Sequence, residues 1–152
     1  MEIKMVSWPQ IIDIDKGYSM CFGCGGDNPI GLKLSFQWDG KVAKTEFTPG
    51  KLHQGWADVV HGGIINAILD EAMSYAAIFK GLFCITAKME TRLRRPAVID
   101  EPLIITSSIT RNTRRLVEAK ANISLKDGTL IAESKATLFV IGKKEDKTKS
   151  NA

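Results

Sequence analysis

HGGIINAILDEAMSYAAIFKG, residues 61–81, is the stretch that decides the fold. It is rich in alanine and isoleucine, apolar almost all the way round at helical period, and stopped by Gly81. A helix apolar on nearly every side is buried on nearly every side, so this one must run through the protein's interior. About 18 residues at the standard rise give it a length of about 27 Å.

The flanking segments read as strands. Upstream, from Ile30, the alternation of Leu32, Leu34 and Phe36 against Lys33, Ser35 and Gln37 predicts a strand that ends at the Asp39-Gly40 turn. Residues 41–48 form the second arm of a hairpin, which stops at Pro49-Gly50. The segment PGKLHQGWADVV, residues 49–60, has no period and reads as a loop delivering the chain to His61. Downstream, residues 82–94, 103–110, 116–125 and 129–141 predict four more strands, punctuated by Pro96, Pro102 and Asp127-Gly128. Strands joined by tight turns form an antiparallel sheet, and one long apolar helix needs that sheet wrapped around it, so the expected class is α+β.

A chain of 152 residues, 44% of them hydrophobic, can fill one core without metals or disulfides. A single domain is expected over residues 1–142, its first 20 residues an extension, followed by a charged, disordered tail at 143–152. The tail's four lysines against Glu145 and Asp146 supply half of the net charge of +4. The rest of the chain is only mildly basic and lacks interleaved aromatic and basic residues, so no nucleic-acid partner is expected. No apolar run approaches the roughly 18 residues of a membrane span, and the start has no signal-like apolar region, so a cytoplasmic protein without a membrane partner is expected.

Cys21 and Cys24 stand as C-x-x-C in CFGCGGDNPIGLKL, with Cys84 alone. An odd number of cytosolic thiols argues against a disulfide framework. A zinc site within one chain would have to draw on Cys84, His53 or His61, at no recognised ligand spacing, and a redox pair would need a βαβ setting. The pair therefore reads as reduced, metal-free thiols in a turn fixed by Asn28-Pro29 and Gly31. Two such pairs meeting between subunits would complete a four-thiolate site.

Within the helix, Asn66, Asp70 and Ser74 fall at i, i+4 and i+8 on one polar stripe, with Gly63 near the same line and Glu71 about 100° away. One reading is the solvent-facing edge of an amphipathic helix. The other begins at His61-Gly62-Gly63, where backbone N–H groups at a helix start, unshielded by side chains, attract negative charge or a developing oxyanion. A donor and a carboxylate on one helix suggest acyl transfer to water. Eight residues separate Gly62 from Asp70, about 12 Å along the axis, whereas a reacting carbonyl must lie within about 3 Å of both kinds of group. The donor of one copy must then work with the acid of another, across a two-fold axis.

The run HGGIINAILDEAMSYAA, with its acid nine positions after His61, resembles the signature of hotdog-fold acyl-CoA thioesterases of the PaaI and 4-hydroxybenzoyl-CoA thioesterase superfamily. CFGCGGDNPIGLKLSF, HQGWADVVHGG and TAKMETRLRRP occur in the same order and at similar spacings, so the likeness spans about residues 20–141. It implies a hotdog fold, a homodimer or dimer of dimers with the active site at the subunit interface, an acyl-CoA substrate and no cofactor. Carried over, Gly62 supplies the N–H that polarises the thioester carbonyl, and His61 lines the pocket. Asp70 is nucleophile or general base, and Thr86 positions the attacking water. Some relatives carry Asn six positions before the histidine, where this chain has Gly55; Gln54, beside it, is the candidate replacement. Gly63, Asn66 and Trp56 join the substrate-binding set. Arg94 and Arg95 are placed against the coenzyme A phosphates ahead of Arg92, Arg111, Arg114 and Arg115, the other reading being a solvated strand face. Ile64, Ile68, Met73 and Trp56 are candidate acyl-chain walls.

The expected activity is thus hydrolysis of an acyl-CoA to a free acid and coenzyme A. Two rivals stand beside it: a hotdog hydratase or dehydratase using His61 with an acid, and a non-catalytic acyl-CoA-binding protein. The sequence has no helix-turn-helix segment of the kind a DNA-binding regulator would carry.

Overall fold

The computed structural model describes residues 12–144, and the charged tail from Glu145 onward and the first 11 residues lie outside them. One α-helix, α1 (Gly62–Phe79), packs against a six-stranded antiparallel sheet. In chain order the strands are β1 (Gln37–Trp38), β2 (Ala43–Phe47), β3 (Leu82–Leu93), β4 (Leu103–Asn112), β5 (Leu116–Leu125) and β6 (Leu130–Lys143). Their order across the sheet is β1-β2-β4-β5-β6-β3, so β3, which follows the helix directly, swings to the far edge beside the last strand.

The helix buries Ile65, Ile68, Leu69, Ala72, Met73, Ala76 and Ala77, as its near-continuous apolar pattern predicts. Facing them are Leu103 and Ile105 of β4, Val117 and Ile123 of β5, and Ala132 and Leu138 of β6, all without solvent exposure. Small residues on both surfaces of the core, Ala72 and Ala77 of the helix with Ala119, Ala121 and Ala136 of the sheet, let helix and sheet approach closely. One buried polar contact crosses that interface: the Ser107 hydroxyl donates to the Ala72 carbonyl at 2.5 Å. At the C-terminal half of α1, Tyr75 stacks on Phe36 and Phe79 on Trp38, which closes the hairpin end over the core.

Both ends of α1 are terminated as their sequence requires. His61 is the N-cap, its Nδ1 accepting the Gly63 N–H at 2.8 Å. At the other end Gly81 takes φ +79°, a left-handed turn that a side chain would disfavour, and its N–H returns to the Ile78 carbonyl.

The strand expected from Ile30 differs from the observed chain. Leu32 and Leu34 are buried and Lys33 and Ser35 exposed, as the alternation requires, but paired strand begins only at Gln37. Lys33 adopts φ +54°, which breaks the extended conformation, and Leu32 and Leu34 donate instead to the carbonyls of Phe22 and Gly23. The other strands lie within a few residues of their expected limits, and the loop at 49–60 adds a 3₁₀ turn at Lys51–His53.

Because His61 caps α1 through its side chain, His61→Ala should lower the unfolding free energy by about 1 kcal/mol. Asn at the same position should restore most of it. Urea unfolding of the two variants checks this, and equal stability of both would remove the capping role.

Candidate active site

Two clusters form on α1, one at its start and one in its middle. At the start, the Gly63 N–H is consumed by His61, while Ile64 and Ile65 donate to the His61 carbonyl. Among the described residues no acceptor takes the Gly62 N–H. It is a free donor at the positive end of a helix dipole, opening on a cleft of about 280 Å³. Leu93, Arg94, Arg95 and Pro96 line that cleft beside Gly62 and Val59. The approach to Gly62 is open: a side-chain carbon there would come no nearer than 3.7 Å, to Leu93.

In the middle, the Thr86 hydroxyl donates to Asp70 Oδ1 at 2.5 Å. The local cause is a bulge in β3. Thr86 pairs with Leu138 and Lys88 with Thr137, so Ala87 is an extra residue that re-aims the strand at this point. Asp70 is half-buried and Thr86 exposed, and Thr86 lies on the edge strand of the sheet, where among the described residues β3 pairs only with β6. The second carboxylate oxygen of Asp70 remains available to accept a proton.

The remaining expected residues are distributed as follows. Asn66 donates its amide to the Gly62 carbonyl at 2.9 Å, which ties the polar stripe to the helix start. Gln54 spends both ends of its amide on its own loop, donating to the Lys51 carbonyl and accepting the Asp58 N–H. It is a loop brace, its amide already satisfied. Beside it Gly55 is pressed against His61: a Cβ there would lie 3.2 Å from the His61 Cα. Trp56 is 87% exposed and is not among the residues that line the cleft at Gly62. Arg94 pairs with Glu133 at 2.7 Å and holds that carboxyl below its ordinary range, whereas Arg95 makes no ion pair among the described residues. Of the expected acyl-chain walls, Ile68 and Met73 are excluded, since both are wholly enclosed in the core.

Glu71, about 100° from the polar stripe, is half-buried, and its carboxylate faces the thiols of Cys21 and Cys24. Burial pushes its carboxyl above the ordinary value, with the Asp70 charge adding to the rise. The 50-residue separation of Cys21 from Glu71 hid this contact from any local pattern.

The comparisons with known proteins bear on the fold and the family. Residues 57–132 match the family described as the thioesterase superfamily. A coenzyme A-bound hypothetical thioesterase from Streptococcus pneumoniae superposes with a TM-score of 0.70 at 16% identity, covering 74% of this chain and 91% of that one. The PaaI protein of the Escherichia coli phenylacetic acid degradation operon gives 0.69 at 18% identity, covering 74% and 83%. Zebrafish thioesterase superfamily member 2 gives 0.68 at 21% identity, covering 76% and 89%. No curated protein matches the sequence significantly. At these identities the structures establish the common fold of one helix against a curved antiparallel sheet, the hotdog fold. The family match spans half of the 152 residues, from the loop before His61 to the last strand, and by it this chain belongs to the thioesterase superfamily.

Proposed function

We propose that the protein hydrolyses an acyl-CoA thioester, with Asp70 activating the attacking water and the Gly62 N–H stabilising the oxyanion. The observation that carries this reading is the Thr86–Asp70 hydrogen bond at the exposed sheet edge. By donating to Oδ1, Thr86 fixes the carboxylate plane and leaves Oδ2 to take a proton from water. Hydroxide equivalent adds to the thioester carbon, the carbonyl oxygen gathers charge against the Gly62 N–H, and the C–S bond breaks. Coenzyme A leaves as a thiolate, a good leaving group that takes up the proton Asp70 drew from water and so restores the carboxylate, and the acyl group departs as the acid. Direct attack by Asp70, giving an anhydride that water then cleaves, uses the same atoms.

On one chain the donor and the acid are about 12 Å apart along α1, too far to meet at one carbonyl. The working site is therefore composed by two copies of the chain, α1 of one running antiparallel to α1 of the other. Two features support such pairing. Among the described residues the 12 residues of β3 have one edge unpartnered, and Leu93, beside Gly62, is 56% exposed despite being apolar. The cleft that joins Gly62 to Arg95 suits the phosphates of coenzyme A, with Arg94 available on release from Glu133.

A hydratase is the weaker reading. It needs a free imidazole base, and His61 already accepts a hydrogen bond at Nδ1, which leaves Nε2 protonated in the neutral ring. A non-catalytic binder would retain affinity for acyl-CoA without releasing thiol.

Thiol release from a panel of short, long and aromatic acyl-CoAs tests the mechanism. Asp70→Asn should lower kcat by about 10² to 10⁴, and Thr86→Ala should lower it less. Wild-type rates in Asp70→Asn would refute the role of the acid. For the donor, Gly62→Pro deletes one N–H and little else. Proline is tolerated at the first helical position, and the preceding His61 has φ −58° and ψ 132°, which proline accepts. This variant should fold normally and lose about 10² to 10³ in kcat; full activity would exclude Gly62 N–H as the oxyanion donor.

A further inference from the structure

Beyond the hydrolytic site, Glu71 joins Cys21 and Cys24 in a cluster that catalysis does not use. A donor atom from each of the three lies within 4.8 Å of the others. Cys21 Sγ is 3.6 and 3.7 Å from the two Glu71 oxygens. Tetrahedral zinc, with Zn–S near 2.3 Å and Zn–O near 2.0 Å, sets its sulfur and oxygen ligands about 3.5 Å apart. The spacing is thus that of ligands around one ion, with only a small contraction needed.

The backbone is shaped for this approach. Gly23 sits between the cysteines, and a Cβ there would fall 2.5 Å from Glu71 Oε2, so only glycine admits the carboxylate. Gly25 closes the turn, its N–H bonding the Cys21 carbonyl at 2.8 Å, and a side chain there would collide with Ser19 and Cys21 backbone. The Cys21 N–H bonds Tyr18, and the Asn28 amide holds the Met20 carbonyl. The C-x-x-C-G turn is thereby held in place without the cysteine side chains, which are free thiols.

The charge balance points the same way. Glu71 is a half-buried carboxylate, and no lysine, arginine or histidine pairs with it among the described residues. Its partners are thiols, which donate weakly. Buried charges are normally paired or bound to metal, and a divalent cation reverses the burial effect on carboxylate and thiol alike.

We infer that Cys21, Cys24 and Glu71 form a binding site for one divalent metal ion of zinc-like softness per chain. Two sulfurs exclude magnesium and calcium as its natural occupants. Water from the adjoining cavity of about 300 Å³, lined also by Ser74, Ile85 and Cys84, completes the tetrahedron. Binding releases the thiol protons and locks the N-terminal segment to α1 one residue from Asp70. Four thiolates from two chains are not required, because the third protein ligand comes from the helix.

The test uses the full chain, purified under reducing conditions without a histidine tag. Elemental analysis should find about one zinc per chain, and after chelation cobalt(II) should restore a thiolate-to-metal charge-transfer band. Cys21→Ser and Cys24→Ser should abolish that band, and Glu71→Gln should weaken binding by at least roughly tenfold. Cys84→Ser, which alters the same cavity outside the cluster, should leave binding unchanged. The wild-type spectrum decides the matter even if a variant misfolds. Absence of the band from stripped, folded wild type overturns the inference. So does one metal per two chains with Glu71→Gln binding as tightly as wild type, or a Cys21–Cys24 disulfide in the reduced preparation.

Discussion

The rigidity of one helix governs this protein. Gly62 and Asp70 sit on the same rod, which seven buried residues fix in the core, so about 12 Å separates them whatever the loops do. A hinge in one chain cannot bring them together without breaking α1. In the reaction proposed here both must touch the same carbonyl group, and this forces the site to be composite. In the proposed pairing a second copy would cover the edge of β3 left unpartnered among the described residues, and exposed Leu93, while supplying the missing half. The glycines at the helix start fit the same logic. A bulky residue at 62 would narrow the cleft through which the thioester reaches the free N–H.

Much of this was legible in the sequence because the decisive signals are local. The apolar run at 61–81 gave the helix to within two residues, and the Asp-Gly and proline breaks divided the strands. Thr86 was picked out by the family resemblance alone, since nothing local in the strand marks it, and its hydroxyl meets Asp70 across sixteen residues of chain. What failed depended on contacts distant along the chain. Alternation located the buried side of Leu32 and Leu34 but could not tell that Lys33 would turn the backbone toward residues 22 and 23. Periodicity put Glu71 off the polar stripe but could not show what it meets, because the segment that carries its sulfur partners lies 50 residues upstream. Ile68 and Met73 looked like substrate walls only because a sequence does not separate core from cavity.

The two clusters divide α1 into parts with different tasks. Its start offers backbone dipole and space, and its middle offers carboxylates in adjacent positions with opposite surroundings. Asp70 reaches a hydroxyl at the open sheet edge, whereas Glu71 is turned inward against sulfur. Two neighbouring half-buried acids of equal chemistry are thus turned by 100° of helix toward different partners, one a hydroxyl and one a pair of thiols. The metal site inferred at Glu71 leaves this division intact, since it holds the N-terminal segment over the inward face only.

The composite site is tested most directly by mixing two inactive variants. Asp70→Asn and Gly62→Pro, each purified, are combined in equal amounts, dissociated, allowed to reassociate, and assayed for thiol release. Half of the resulting dimers carry one copy of each variant, and in these one of the two sites draws both its acid and its donor from intact positions. About a quarter of wild-type activity should therefore return. If the mixture stays as inactive as its parents while hybrid dimers are present, donor and acid belong to a single chain and the account fails.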